Sequence, residues 1–152
     1  YIHIPFCKQA CRYCDFFFSV SLRYMDEYVD RLVDEIRYRS KSHPGKDLDT
    51  LYLGGGTPSL LGEEHLDKIV TAILHSFTFR ENPEWTIECN PDDLDEGRLK
   101  YLRSLGFNRL SIGVQSFQKR DLELMRRSHS AEQAVASVKR PSRRDSKISA
   151  SI

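Results

Sequence analysis

Apolar residues follow two different periods along the chain, and together they predict alternating strands and helices. Short apolar runs at 1–5, 51–53, 85–89 and 109–114 are typical of buried strands. Apolar residues at helical spacing predict helices over roughly 21–40, 63–77 and 96–105, with a shorter helix near 120–125. Because the connections are short, we expect parallel strands in an α/β fold. An open doubly wound sheet and a β/α barrel both fit this pattern.

Residues that interrupt the two periods mark the ends of these elements. Pro5 ends the first strand because it cannot donate a hydrogen bond to a neighbouring strand. Gly106 has the position of a glycine that closes a helix, here the third. Ser130 and Gln133 form a capping-box pattern that opens a further helix. We interpret the aromatic run at 16–18 as packing in the core or around a cluster.

Three cysteines near the start of the chain carry the strongest chemical signal. Cys7, Cys11 and Cys14 have the spacing C-x3-C-x2-C. Most cubane [4Fe–4S] clusters use four cysteines, so three thiolates would hold a cluster and leave one iron open. An open coordination position is typical of a metal centre that binds a substrate or cofactor.

Other interpretations of these cysteines fit less well. A structural zinc site needs four ligands, and His3 is a candidate for the fourth, but no second C-x2-C or H-x3-H pair follows. A disulfide framework would leave one of three clustered cysteines unpaired. Cys89 is distant in sequence, and we interpret it as a small strand residue in the core.

Further unusual residues lie where predicted strands end. The glycine loop at 54–57 follows the second strand, Glu88 lies at the end of the third, and Gln115 follows the fourth. The carboxyl ends of parallel strands meet at one edge, so we expect these residues to lie near the cysteines. Glycines let the backbone approach a ligand closely. Glu88 needs a cation or donor, which would be a ligand ammonium or hydroxyl, or else a structural arginine such as Arg103 or Arg109.

Composition excludes some classes of protein. The chain has 152 residues, 39% hydrophobic and 30% charged, which suits a soluble domain with its own core. A net charge of +1 gives no bulk attraction to nucleic acid or to an anionic membrane. No apolar run approaches the roughly 20 residues that span a bilayer. With reduced cysteines and no signal peptide, the sequence predicts a cytoplasmic location.

Five sequence blocks taken together resemble the radical SAM superfamily. They are YIHIPFC at 1–7, the cysteine loop, GGGTPS at 54–59, IECNP at 87–91 and SIGVQSF at 111–117. Within the superfamily the chain is similar to the oxygen-independent coproporphyrinogen III oxidase group, which includes the HemW-type haem chaperones. The resemblance covers roughly residues 1–140 and implies the N-terminal part of a TIM-like partial (β/α)6 barrel, with about four β/α units.

The resemblance also implies cofactors and residue roles. Cys7, Cys11 and Cys14 would bind one [4Fe–4S] cluster whose open iron chelates S-adenosylmethionine. An electron from a donor such as flavodoxin or ferredoxin would then cleave the sulfonium and give a 5′-deoxyadenosyl radical. No catalytic residue is assigned. The expected contacts to the cluster-bound molecule are Tyr1, Tyr13, Gly55 and Glu88, and those to a second molecule are Gly56, Thr57, Gln115 and Arg127.

One departure separates the two branches of the group. The oxidase branch carries a further cysteine two residues after the third ligand, and this chain has Phe16 there. The departure favours the HemW-like branch, which implies haem binding and delivery. The alternatives are a coproporphyrinogen oxidase, acting on a porphyrinogen, and an iron–sulfur module without turnover.

The family pattern ends after Arg140, where the chain continues PSRRDSKISASI. Pro141 would stop the preceding helix, so we expect residues 141–152 to form an aberrant or disordered tail. We interpret the change as a frameshift or a truncation of the barrel. In that case the fourth strand would be an open apolar edge, and this chain alone would bind a cluster poorly.

Overall fold

In the part of the chain that the structure describes, five parallel strands form one sheet in which every strand lies beside its neighbours in sequence. The structure is a computed structural model, and it describes residues 1–43, 47–139 and 149–151. The strands are β1 (Ile2–Ile4), β2 (Leu48–Gly55), β3 (Phe79–Cys89), β4 (Arg109–Ile112) and β5 (Ser149–Ser151). A doubly wound sheet reverses its strand order at a switch point, whereas a β/α barrel keeps the order of the sequence. The strand order is therefore that of a partial barrel.

Helices connect the strands. They are α1 (Met25–Lys41), α2 (Glu63–Ser76), α3 (Glu96–Ser104), α4 (Lys119–Met125) and α5 (Ala131–Lys139). Short 3₁₀ turns at Pro58–Leu60 and Pro91–Asp93 follow β2 and β3. No helix in the described part of the chain combines the length and apolar character needed to cross a membrane.

Helix α1 begins later than its apolar pattern predicted. The prediction placed its start near residue 21, but Leu22 lies outside the helix and is 46% exposed. The backbone of Ser19 explains the delay: its N–H donates to Pro5 (2.7 Å) and its carbonyl accepts from Cys7 (3.0 Å). The chain is thus held in an extended conformation beside β1 before it can turn into a helix.

The two faces of the sheet differ in polarity because side chains alternate along a strand. Leu53, Ile87 and Leu110 are register partners across β2, β3 and β4, and all three are fully buried. They belong to one core cluster with the inner faces of the helices, such as Leu66 of α2. Tyr52, Glu88 and Ser111 alternate with these apolar residues on the opposite face of the sheet. That face is therefore polar and can carry a site.

Two local signals in the sequence are confirmed by hydrogen bonds. Gly106 follows α3 with φ +106°, a conformation that glycine adopts without strain, and its N–H donates to Arg103 (3.0 Å). Before α5, the Ser130 N–H donates to the side chain of Gln133 (2.8 Å), and the Gln133 N–H donates to the Ser130 hydroxyl (3.2 Å). The capping box is therefore formed as predicted.

The expectation that β4 is an open edge is wrong. Strand β5 pairs with β4 in parallel, with Leu110 opposite Ala150. Residues 141–148 and 152 of the predicted tail lie outside the described residues.

Candidate functional site

A cavity of about 570 Å³ opens at the carboxyl ends of strands β1 to β4. Its lining includes all the predicted site residues except Tyr1, namely Cys7, Cys11, Tyr13, Cys14, Gly55, Gly56, Thr57, Glu88, Gln115 and Arg127. Tyr1 lies beside this region, with its ring stacked on Tyr52 (5.9 Å between ring centroids) and its hydroxyl 3.0 Å from Nδ1 of His3. The loops after four strands therefore converge on one space, as the β/α pattern predicted.

The cysteine loop is held against the end of helix α4. The N–H of Arg12 donates to the carbonyl of Met125 (3.2 Å), and the Gln9 side chain donates to the carbonyl of Arg126. Cys7, Cys11 and Cys14 are half-buried and form no disulfide. The loop thus presents three free thiols to the cavity from a fixed backbone.

Two of the three thiols accept hydrogen bonds from other parts of the chain. The Thr57 hydroxyl donates to Sγ of Cys7 (3.6 Å), and Nη1 of Arg127 donates to Sγ of Cys11 (3.5 Å). Burial raises the pKa of the Cys7 thiol, while the Thr57 hydrogen bond and the charge of Arg127 act to lower that pKa. Both donors stabilise the thiolate form, which is the form that ligates metal.

The chemistry of the three thiols fits a [4Fe–4S] cluster. A zinc site needs all of its ligands about 2.0–2.3 Å from the same ion. Within residues 1–43 and 47–139, no three His, Cys, Asp or Glu side chains are gathered to hold one metal ion. In a [4Fe–4S] cluster each thiolate ligates a different iron, so the three thiols need not meet at one point.

The glycine loop after β2 comes close to both the cysteines and Glu88. A Cβ on Gly56 would lie 2.9 Å from Sγ of Cys7 and 2.7 Å from the carbonyl oxygen of Phe6. Gly55 has φ +117°, and a Cβ there would overlap the ring of His3. Only glycine allows this approach, so the loop can act as a cradle of bare backbone beside the thiols.

Glu88 holds its carboxylate at the cavity through two hydrogen bonds. The Tyr52 hydroxyl donates to Oε1 (2.7 Å) and the Gly55 N–H donates to Oε2 (3.1 Å). Burial raises the pKa of Tyr52, and its hydrogen bond to Glu88 raises that pKa further, so Tyr52 remains a donor. Each carboxylate oxygen keeps acceptor capacity for a ligand ammonium or hydroxyl.

Gln115 and Arg127 lie at the cavity on the side of β4. Gln115 has φ +64°, a left-handed conformation that is uncommon for a residue other than glycine. Nη2 of Arg127 donates to Oδ1 of Asn90 (2.7 Å) and to the carbonyl of Gly113 (2.8 Å), and its Nη1 also reaches the Tyr13 hydroxyl (3.1 Å). Its buried Nε has no hydrogen-bond partner within the residues described.

The sequence prediction missed two residues of this site. Asn90 lines the cavity and contacts both Thr57 and Arg127. Lys8 lies between Cys7 and Cys11 and forms ion pairs with Asp92 (2.8 Å) and Asp93. Their positions could have indicated them, since Asn90 follows a strand end and Lys8 lies within the cysteine loop.

The prediction for the aromatic run at 16–18 is wrong in part. Phe16 is 72% exposed and Phe17 is 81% exposed, so neither packs in the core. Phe16 and Phe18 line the cavity beside the three cysteines, which is where the alternative of packing around a cluster would place them. The Phe17 carbonyl accepts a hydrogen bond from the His3 ring (3.2 Å), which fixes the backbone of the run at the edge of the sheet.

Cys89 is confirmed as a core residue at the end of β3. It is 3% exposed, and burial raises the pKa of its thiol strongly, so it stays protonated. Cys89 therefore differs from the three thiols of the cysteine loop, although part of it also borders the cavity.

Strand order, cysteine loop and cavity together define a cluster-binding α/β protein, and comparison with known proteins gives the family. The model of the radical SAM superfamily matches residues 1–150, and the chain belongs to this superfamily. Membership implies a [4Fe–4S] cluster and S-adenosylmethionine as cofactors.

Similar proteins include two groups. The chain is 39% identical over 142 residues to the haem chaperone HemW of Bacillus subtilis, covering 92% of this chain and 38% of that protein. It is 42% identical over 136 residues to HemW of Synechocystis, covering 85% and 32%. It is 36% identical over 134 residues to the oxygen-independent coproporphyrinogen III oxidase of Salmonella typhimurium, covering 87% and 29%.

A solved structure agrees with the fold. Coproporphyrinogen III oxidase (HemN) from Escherichia coli, described as a radical SAM enzyme, superposes with a TM-score of 0.84 at 34% identity. The match covers 91% of this chain and 32% of that one. The chain thus spans about a third of the length of these relatives.

Proposed function

We propose that this chain is the part of a HemW-like haem chaperone that binds the [4Fe–4S] cluster and S-adenosylmethionine. One observation carries the proposal: Cys7, Cys11 and Cys14 open onto the same cavity as the glycine loop and Glu88. Three thiolates leave one iron for an outside ligand, and the neighbouring bare backbone and carboxylate suit an amino acid with a ribose. Haem or a porphyrin would be the cargo of the whole protein, and a flavodoxin or ferredoxin its electron donor in the cytoplasm.

The residues of this chain would bind and orient the cofactors. Cys7, Cys11 and Cys14 would ligate the cluster, which when reduced supplies an electron for cleavage of S-adenosylmethionine. The Thr57 hydroxyl and the Arg127 guanidinium would hold two of the thiolates by hydrogen bonds. Glu88 would accept hydrogen bonds from the ammonium or ribose of the ligand.

Further ligand contacts come from the loops around the cavity. Gly55 and Gly56 line the cavity and present bare backbone to a ligand there. Gln115 and Arg127 would contact a second molecule, and Tyr13 would cover an aromatic base. Tyr1 would contact the cluster-bound molecule from the side of β1.

Phe16 favours the chaperone over the oxidase. The oxidase branch carries a cysteine at this position, whereas Phe16 is an exposed aromatic residue that borders the cavity. The oxidase remains the second candidate because the superposition with the HemN structure is close. A third candidate is a cluster-binding module without turnover.

Anaerobic reconstitution of the cluster separates these candidates. With added S-adenosylmethionine and dithionite, release of 5′-deoxyadenosine supports radical cleavage, and its absence leaves a binding module. Titration with haem then tests the chaperone, and we expect saturable binding with a change in the haem absorbance. Consumption of coproporphyrinogen would instead assign the oxidase.

The cysteine ligands give the first specific prediction. Cys7→Ala should abolish the brown absorbance of the cluster, because two thiolates cannot hold three of the four irons. Iron and sulfide content, together with the visible spectrum, measure the loss. Cys89→Ala is the matched control, since Cys89 is buried and protonated, and it should keep the cluster. A brown Cys7→Ala protein with full iron content would contradict the assignment.

A further inference from the structure

The hydrogen bonds to two ligand thiols belong to one continuous chain. The Asn90 side chain donates from Nδ2 to Oγ1 of Thr57 (3.5 Å), and Thr57 donates to Sγ of Cys7 (3.6 Å). On its other side Asn90 accepts at Oδ1 from Arg127 (2.7 Å), and Arg127 donates to Sγ of Cys11 (3.5 Å). A single amide therefore connects the donors of both thiols.

We infer that Asn90 is a positioning residue that aims the donors of Thr57 and Arg127 at two cluster-ligand thiolates and thereby raises the reduction potential of the cluster. The inference rests on the proposed function, since it concerns thiolates that hold a cluster. It goes beyond that function because it assigns a role to a residue that acts through Thr57 and Arg127.

The direction of each hydrogen bond supports this role. Arg127 can only donate, so the amide oxygen of Asn90 must face it, and the amide nitrogen must face Thr57. Because the Thr57 hydroxyl then accepts from Asn90, its own hydrogen is free to point at Cys7. Asn90 thus fixes the orientation of a hydroxyl that could otherwise rotate.

The surroundings hold this chain in place. Thr57 is 4% exposed, so its hydroxyl has little access to water. The Asn90 backbone N–H donates to Oγ of Ser59 (3.1 Å), and that hydroxyl donates to Asp93 (2.5 Å), which is paired with Lys8 of the cysteine loop. Partly buried hydrogen bonds to charged acceptors are stronger than exposed ones, so their loss should be measurable.

Reduction adds negative charge to the cluster and its thiolates. Hydrogen bonds to the sulfur atoms favour the reduced form, and they are one of the means by which proteins set the potential of such clusters. Removing Asn90 should leave the ligands in place while weakening both donors. The expected sign is therefore a more negative midpoint potential at unchanged iron content.

The experiment is a redox titration of the reconstituted chain, monitored by visible and electron paramagnetic resonance spectroscopy. We expect Asn90→Ala and Thr57→Val each to lower the midpoint potential. The double variant should show a shift smaller than the sum of the two, because Asn90 acts partly through Thr57. Fully additive shifts, or an unchanged potential in Asn90→Ala, would overturn the inference.

Asn108→Ala is the matched control. Asn108 also uses its side chain for two hydrogen bonds at strand β3, accepting from the Trp85 N–H (2.9 Å) and donating to the Pro83 carbonyl (2.8 Å). It does not line the cavity. We expect Asn108→Ala to change stability without changing the potential, and an equal shift in potential would show a merely structural effect.

Loss of the cluster itself is also informative. If Asn90→Ala lowers the iron content, we expect Thr57→Val to lower it too. Loss of iron in Asn90→Ala alone would overturn the inference. If the unsubstituted chain holds a cluster and Asn90→Ala leaves the midpoint potential unchanged, only this inference is overturned. Failure of the unsubstituted chain to hold any cluster overturns the proposed function as well.

Discussion

Gly56 has no side chain, and this lets the glycine loop lie directly against the cysteine loop. Gly56 lies so close to the cysteine loop that a methyl group there would overlap the Phe6 carbonyl oxygen and the Cys7 sulfur. The overlapping oxygen belongs to the backbone and cannot rotate away. The glycine loop therefore determines how near the chain comes to the thiols, and no other residue type gives the same geometry.

Gly56→Ala tests this at the scale of one residue. We expect a loss of about 1–3 kcal/mol in the free energy of unfolding, because overpacking forces backbone shifts, and a lower iron content after reconstitution. Urea unfolding and iron analysis measure the two effects. Gly62→Ala is the control, since the nearest atom to a Cβ there is 3.7 Å away. Equal behaviour of the two variants would contradict the close approach.

At the scale of elements, the cysteine loop depends on turns that are distant in sequence. Lys8 joins it to the 3₁₀ turn after β3 through Asp92 and Asp93, whose side chains are 12% and 6% exposed. Gln9 and Arg12 join it to the end of α4. The loop is therefore held from both sides.

Lys8→Met should loosen this attachment. It keeps the length of the side chain but leaves two partly buried carboxylates without their cation, which costs about 1 kcal/mol. Thermal unfolding and the rate of alkylation of the loop cysteines report the change, and we expect lower stability and faster alkylation. Lys119→Met removes only an exposed pair with Glu123 and should change neither. Unchanged alkylation in Lys8→Met would contradict the attachment.

The whole molecule is a partial barrel in which an apolar face binds the helices and a polar face carries the site. His129 is a buried polar residue whose protonation affects the stability of the whole molecule. It is 3% exposed, its Nε2 donates to the Val114 carbonyl (3.0 Å), and its Nδ1 has no partner within the described chain. Burial lowers the pKa of His129, and the charge of Arg127 lowers it further.

A pH dependence of stability follows from this shift. The unfolded chain binds the His129 proton near the ordinary pKa of 6.5, whereas the folded chain binds it only at lower pH. The free energy of unfolding should therefore fall as the pH is lowered from about 7 to 5. His129→Gln should flatten this dependence, while His75→Gln, at an exposed histidine, should preserve it. Urea titrations across this pH range provide the measurement.

Local sequence signals predicted helix ends correctly where the end depends on residues a few positions away. Gly106 ends α3 because a left-handed residue is needed there, and Ser130 with Gln133 caps α5, as their types and spacing predicted. The position of the site was also predictable, because residues that follow parallel strands meet at one edge. The late start of α1 was not, because it depends on hydrogen bonds between Ser19 and the chain beyond β1.

By itself the sequence determined the α/β class, the cysteine loop and the edge at which this loop meets glycine and carboxylate. Tertiary structure alone decided that β5 pairs with β4, that Phe16 and Phe17 are exposed, and that Asn90 and Lys8 belong to the site. The physical reason is the range of the interactions. Helix ends and turns depend on neighbours a few residues away, whereas the contact from Thr57 to Cys7 or from Arg127 to Cys11 exists only once strand register brings distant loops together.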